Sequence, residues 1–159
     1  MMSVPLAKSP ERIQVADRTI EWVSAHSVTL LRISMGIIFF WFGVLKFFPG
    51  TSPAEILAGK TIQQLSLGTL KPAVSLPLIA ALECGLGLAF LTGYRLKSAT
   101  LVLLFHMAGT FTPMLLFPSE TFKVFPIVPT LEGQYILKNL VLLSAGLVIG
   151  AKAIASGSR

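Results

Sequence analysis

Charge is scarce in this sequence. Asp, Glu, Lys and Arg make up 13% of its 159 residues, against 53% hydrophobic residues. A water-soluble domain carries about 25% charged residues, so the composition excludes an ordinary soluble domain and points to an integral membrane protein. Cysteine is scarcer still. Cys84 is the single cysteine, which excludes an internal disulfide and a C-x-x-C redox pair. The two histidines are His26 and His106, and no cluster of residues has metal-ligand spacing. The net charge of +6 is spread along the chain. No basic run interleaves with aromatics, so nucleic acid is not an expected partner. In a membrane protein the placement of bases reports orientation instead.

What the sequence has in quantity is long apolar runs. Four are present, at about 28–48 (ended by Pro49-Gly50), 73–93, 96–117 (ended by Pro118) and 134–153. Each is close to the ~20 residues that cross ~30 Å of hydrocarbon at ~1.5 Å per residue. These runs predict an all-α fold, an integral membrane four-helix bundle in one domain over 28–153, with a tail at 154–159. The turn at Tyr94-Arg95 is tight, so spans two and three should be antiparallel neighbours.

The other two connections are long and should share one side of the membrane. Thr51 to Pro72 contains a short helix, with Ser52 as cap, Pro53 first and Glu55 in its first turn. Ser119 to Gly133 is rich in Phe and Pro, and either packs at the headgroups or folds over the bundle mouth as a lid. Tails and tight turn carry Lys8, Arg12, Arg18, Arg95, Lys97, Lys152 and Arg159, whereas the long loops hold Lys60, Lys71 and Lys123. That excess places both termini in the cytoplasm.

Residues 1–27 form a polar arm. Ser9, Pro10 and Glu11 read as a helix start. Ile13, Ala16, Ile20 and Val23 then recur at helical spacing, which suggests an amphipathic helix on the membrane surface. The alternative is a disordered arm. Its length and charge, without a small-x-small cleavage site, argue against a secretory signal.

Polar residues inside the spans carry whatever chemistry there is, because a charge in hydrocarbon costs several kcal/mol unless paired or hydrated. Arg32, Gly36, Phe39, Gly43 and Lys46 share one face of the first span. That face should turn from lipid, its glycines admitting a neighbouring helix. Arg32 and Lys46 either snorkel to the interfaces or pair with acids.

Glu83 lies deep in span two and reaches neither interface easily. It is either one half of a structural ion pair or a proton-handling or ligand-binding carboxylate. His106 is similarly deep in span three. It is a packing residue, a proton relay, a quinone contact or a haem ligand, although a bis-His haem would need His26, which lies outside the spans. Pro113 should kink that span by freeing the carbonyl of Gly109. Depth along the helices assembles one cluster in the outer half of the bundle: Glu83, Lys138, Asn139, Lys46 and His106, with Glu132 at its rim and Arg32 below. Lys138 is within a lysine stem of Glu83 on depth alone.

With those residues placed, the chain resembles the DoxX-like superfamily of small four-span membrane proteins over most of 28–150. LLRISMGIIFFWFGVLKFFPG looks like the opening helix, with an arginine near its start and G-x-x-K-F near its end. ALECGLGLAFLTG looks like the second, and EGQYILKNLVLL like the last, entered through a Lys-Asn pair. The first span and the T-P-M of span three are closest to the RclC-like branch, associated with reactive chlorine stress. The resemblance implies a four-helix bundle in the bacterial inner membrane. It matches Arg32, Lys46, Glu83, Lys138 and Asn139 to family positions, and leaves His106 unassigned. Relatives are linked to quinol oxidation, thiosulfate:quinone oxidoreduction and oxidant defence. Without paired cysteines, this chain departs from members that work through thiols.

Three functions follow as expectations. The first is a small membrane subunit linked to redox defence, at most part of an oxidoreductase complex, that binds a quinone or similar apolar ligand beside Glu83 and His106. The second is a proton-coupled transporter of a small solute. The third is a non-catalytic assembly protein whose polar cluster only fixes helix register. Expected partners are the lipid bilayer, redox-complex subunits and further copies of the chain.

Overall fold

From Glu11 to Met35 the sequence holds neither glycine nor proline, so nothing ends a helix between the polar arm and the first apolar run. In the computed structural model, which describes residues 10–52 and 54–157, helix α1 (Pro10–Leu45) accordingly runs for 36 residues without interruption. The arm at 1–27 and the span at 28–48, expected as separate elements, are continuous over their described residues. The proposed cap Ser9 lies outside those residues. At the other end Pro49 disfavours α geometry at Phe48. The chain leaves α1 through three-residue turns, Lys46 N–H to Gly43 O (3.2 Å) and Phe48 N–H to Leu45 O (3.0 Å).

Helix α2 (Glu55–Leu65) follows. Its N-cap is Ala54, without a side-chain cap bond, in place of the expected Ser52. Pro53 lies outside the described residues. Glu55 is in the first turn, as expected, and its carboxylate accepts from the Gly50 amide at 2.7 Å. Helix α3 (Pro72–Thr92) ends at Gly93, whose φ of 77° is the left-handed cap that glycine adopts without strain. Helix α4 (Leu96–Phe111) begins directly after the turn.

Span three, where a kink was expected at Pro113, is interrupted at Thr112. The chain restarts as the single turn α5 (Pro113–Leu116). The Gly109 carbonyl that Pro113 cannot serve is taken by the Thr112 hydroxyl at 2.7 Å. After a second turn, α6 (Pro118–Thr121), the Phe- and Pro-rich segment folds into a small antiparallel hairpin, β1 (Phe122–Val124) with β2 (Val128–Pro129). Helix α7 (Leu131–Ala155) starts three residues ahead of the apolar run expected there, because Thr130 caps it by accepting from the Gly133 amide at 3.1 Å.

The four spanning helices form a bundle in which α1 packs most closely on α3, and α4 on α7. Small residues set both contacts. A Cβ on Gly87 would meet Phe40 Cα at 2.7 Å, and one on Gly36 would meet Leu91 N at 2.8 Å, so the α1 and α3 backbones touch. A Cβ on Gly150 of α7 would meet Thr100 Oγ1 of α4 at 2.8 Å. Met35, Phe39, Phe90, Leu103, Met107 and Ile149 fill the centre. Large apolar side chains such as Trp41 and Phe105 cover the outside, as a lipid-facing surface requires. Lys60 of α2 meets Glu120 of α6 at 3.0 Å, so the two long connections do lie on one side.

Candidate functional site

The face of α1 that carries Gly36 and Gly43 lies against the face of α3 that carries Glu83 and Gly87. A Cβ on Gly43 would stand 3.0 Å from that of Glu83. Lys46, one turn beyond Gly43, is thereby delivered to the carboxylate: Lys46 Nζ donates to Glu83 Oε2 at 2.5 Å. The other oxygen, Oε1, is 3.1 Å from His106 Nε2 on α4. Phe39 sets its ring edgewise to the imidazole, with centroids 6.2 Å apart. The three polar side chains are between 9% and 12% exposed, so the cluster is almost closed within the chain.

The pairings fix what the groups can do. A carboxylate only accepts, so both neighbours donate to it. His106 therefore carries its proton on Nε2, which in the neutral ring leaves Nδ1 as an acceptor. Lys46⁺ with Glu83⁻ is net neutral, as a low-dielectric interior demands. The arrangement holds a carboxylate on α3, an imidazole on α4 and an ammonium from the turn that closes α1 in one hydrogen-bonded row.

Depth alone left two lysines as candidates for Glu83, and rotation of α7 decides between them. The buried face of α7 runs through Gly133, Ile136, Ala145 and Ile149. Lys138 is turned about 200° from Ile136 and is exposed. Its ammonium lies over the Tyr135 ring, 5.5 Å from the centroid. The expected Glu83–Lys138 pairing is therefore replaced by Glu83–Lys46. Asn139 is half-buried beside Lys138 on α7. Glu132 sits half-buried in the first turn of that helix, where a carboxylate complements the positive helix end.

Arg32 is held at the far end of α3, donating to the backbone carbonyls of Phe90 and Leu91. It caps a helix instead of facing the carboxylate. Phe39 is the site residue whose role the sequence did not announce, although its place on the Arg32–Lys46 face was legible. Among the described residues no group of His, Cys, Asp and Glu gathers as a metal site.

Four apolar helices long enough to cross a membrane, at Asp17–Leu45, Pro72–Thr92, Leu96–Leu116 and Leu131–Ala155, packed around an intramembrane ion pair, define a multi-pass membrane protein. The family model described as DoxX matches residues 27–117, more than half of the chain, and the chain belongs to the DoxX family. The matched stretch contains Arg32, Lys46, Glu83 and His106, whereas Glu132, Lys138 and Asn139 lie beyond it. No curated protein and no solved structure matches the chain.

Proposed function

We propose that this DoxX-family chain is a small subunit of the bacterial inner membrane, of the RclC-like kind, with both termini cytoplasmic. It serves redox or reactive-chlorine defence by binding a quinone-like ligand at Glu83 and His106. The observation that carries the reading is the bond from His106 Nε2 to Glu83 Oε1 at 3.1 Å, inside the membrane-spanning part of the bundle. An imidazole whose Nε2–H is tied to a carboxylate presents an acceptor at Nδ1. The carboxylate stabilises the imidazolium once a proton arrives. A quinol hydroxyl is an apolar ligand's matching donor, and the Lys46 ammonium is a donor for a quinone carbonyl. Electrons would pass to a partner subunit, since the chain offers no redox pair of its own.

Native mass spectrometry of the protein in mild detergent, beside Glu83→Gln, tests this. A quinone-sized adduct on the wild type, lost in a Glu83→Gln protein that is still folded, is the expected result. Bare protein in both samples overturns it.

A second reading is favoured by the 2.5 Å contact of Lys46 with Glu83. Here the cluster is a structural fastening of an assembly protein, and Glu83→Gln with Lys46→Met together would retain function.

A further inference from the structure

The N-terminal part of α1 has a face that the bundle does not use. Towards its N-terminus α1 stays in contact with the bundle as far as Val28, which packs against the core one turn beyond Arg32. From Val28 α1 continues back to Pro10, a projection of about 27 Å at ~1.5 Å per residue. From Asp17 to Ser27 every side chain is exposed.

Along α1, apolar or small residues recur at alternating three- and four-residue steps: Ile20, Val23, Ser27, Leu30, Ser34 and Ile37. All of them are exposed. At ~100° per residue they form a seam on the side of α1 opposite Met35, Phe39 and Gly43, which pack into the bundle. The charges Asp17, Arg18 and Glu21 fall beside or behind the seam. Within the bilayer, lipid covers such a face. Past the end of the bundle the apolar seam continues on an unbroken helix, with Ile20 65% and Val23 48% exposed.

We propose that this seam binds a second copy of the chain, forming a parallel homodimer whose two α1 helices pair from the projection into the membrane. Two copies inserted with the same topology are parallel, and a two-fold axis along the membrane normal sets the seam against itself. The three-four spacing is the repeat of a left-handed two-helix contact. Ser27 and Ser34 occupy equivalent positions in that repeat. Ser27 donates to the Ser24 carbonyl at 3.2 Å and keeps the seam narrow there, and across the axis the Ser34 hydroxyl meets its copy, which donates and accepts as lipid cannot. By sequence position Arg12 flanks the seam five residues before Asp17, the offset that sets opposite charges against each other in a parallel pair.

The test is oxidative cross-linking in native membranes, using two differently tagged copies expressed together in a Cys84→Ser background. Ile20→Cys and Val23→Cys should each give a cross-linked dimer carrying both tags. Arg18→Cys, on the other side of the helix from Ile20, should give at least about fivefold less. Equal cross-linking at all three positions overturns the proposal. So does its absence at Ile20 and Val23, including the case in which those cysteines are shielded from a water-soluble maleimide without cross-linking, as a helix lying on lipid or covered by another protein would show. A second measurement is independent of sulfur chemistry. Ile20→Glu with Val23→Glu should convert dimer to monomer in native mass spectra, and an unchanged dimer would place the interface elsewhere. Failure of either test leaves the reading of Glu83 and His106 unaffected.

Discussion

Arg32 and Leu91 are 59 residues apart in sequence, and the guanidinium of one reaches the carbonyl of the other at 2.9 Å. The same nitrogen donates to the Phe90 carbonyl. Both acceptors belong to the last turn of α3, whose final carbonyls have no partner within the helix. A cation is also favoured there by the helix dipole. A side chain of α1 thus finishes α3, and the turn at Gly93 follows.

Arg32→Met should therefore destabilise the bundle by about 1.5–3 kcal/mol, the range for losing a hydrogen bond to a charged group. Arg32→Lys should recover part of it. Thermal unfolding in detergent reads the loss. Hydrogen exchange should localise it to the α3–α4 turn, and protection unchanged there would show that Arg32 only snorkels.

Lys46→Met leaves the buried Glu83 carboxylate with His106 alone, and should cost about 3–5 kcal/mol as a broken buried pair does. Glu83→Gln together with Lys46→Met should cost less than the sum of the two single changes. A double-mutant cycle on unfolding free energies measures the coupling, and additive effects would mean that the pair contributes nothing.

Lys138→Met should change stability by less than about 1 kcal/mol, because the side chain is exposed and its ammonium lies over the Tyr135 ring. The same assay on Lys46→Met and Lys138→Met separates the two lysines directly. A large effect at Lys138 would reverse their assignment.

Gly85 and Gly87 are two residues apart and should respond oppositely to alanine. A Cβ at Gly87 would stand 2.7 Å from Phe40 Cα, while one at Gly85 meets nothing within 4 Å. Gly87→Ala should push α1 from α3 and destabilise by about 1–3 kcal/mol. Gly85→Ala should be neutral or slightly stabilising. Melting temperatures of the two variants decide it.

The four spans, their tight and long connections, the interruption beside Pro113 and the inward face of α1 were legible in the sequence, because apolar length, proline and helical spacing are local signals. Two things were not. Helix rotation is the first. Counting residues from a membrane surface gives the depth of Lys138 and Lys46 but not which way each points, and only the packing of α7 on α4 turns Lys138 outward. A signal for Lys46 was present in Gly43, one turn before it, because a glycine on a charged face marks where another backbone comes close. The second is the hairpin at Phe122–Pro129. Its strands of three and two residues are too short for an alternating pattern to register, and Pro126 and Pro129 disguise them as plain loop.

Backbone contact at Gly36 and Gly87 makes α1 and α3 one plate, and the close seat of Gly150 on Thr100 makes α4 and α7 another. Among the described residues of the spanning helices, the side-chain hydrogen bond that crosses from one plate to the other is Glu83 to His106. Whatever engages either of those groups also competes for the latch between the two halves of the protein. Occupancy of the site and the angle between the plates are then one variable, and a spin label on each plate would register a ligand without touching it.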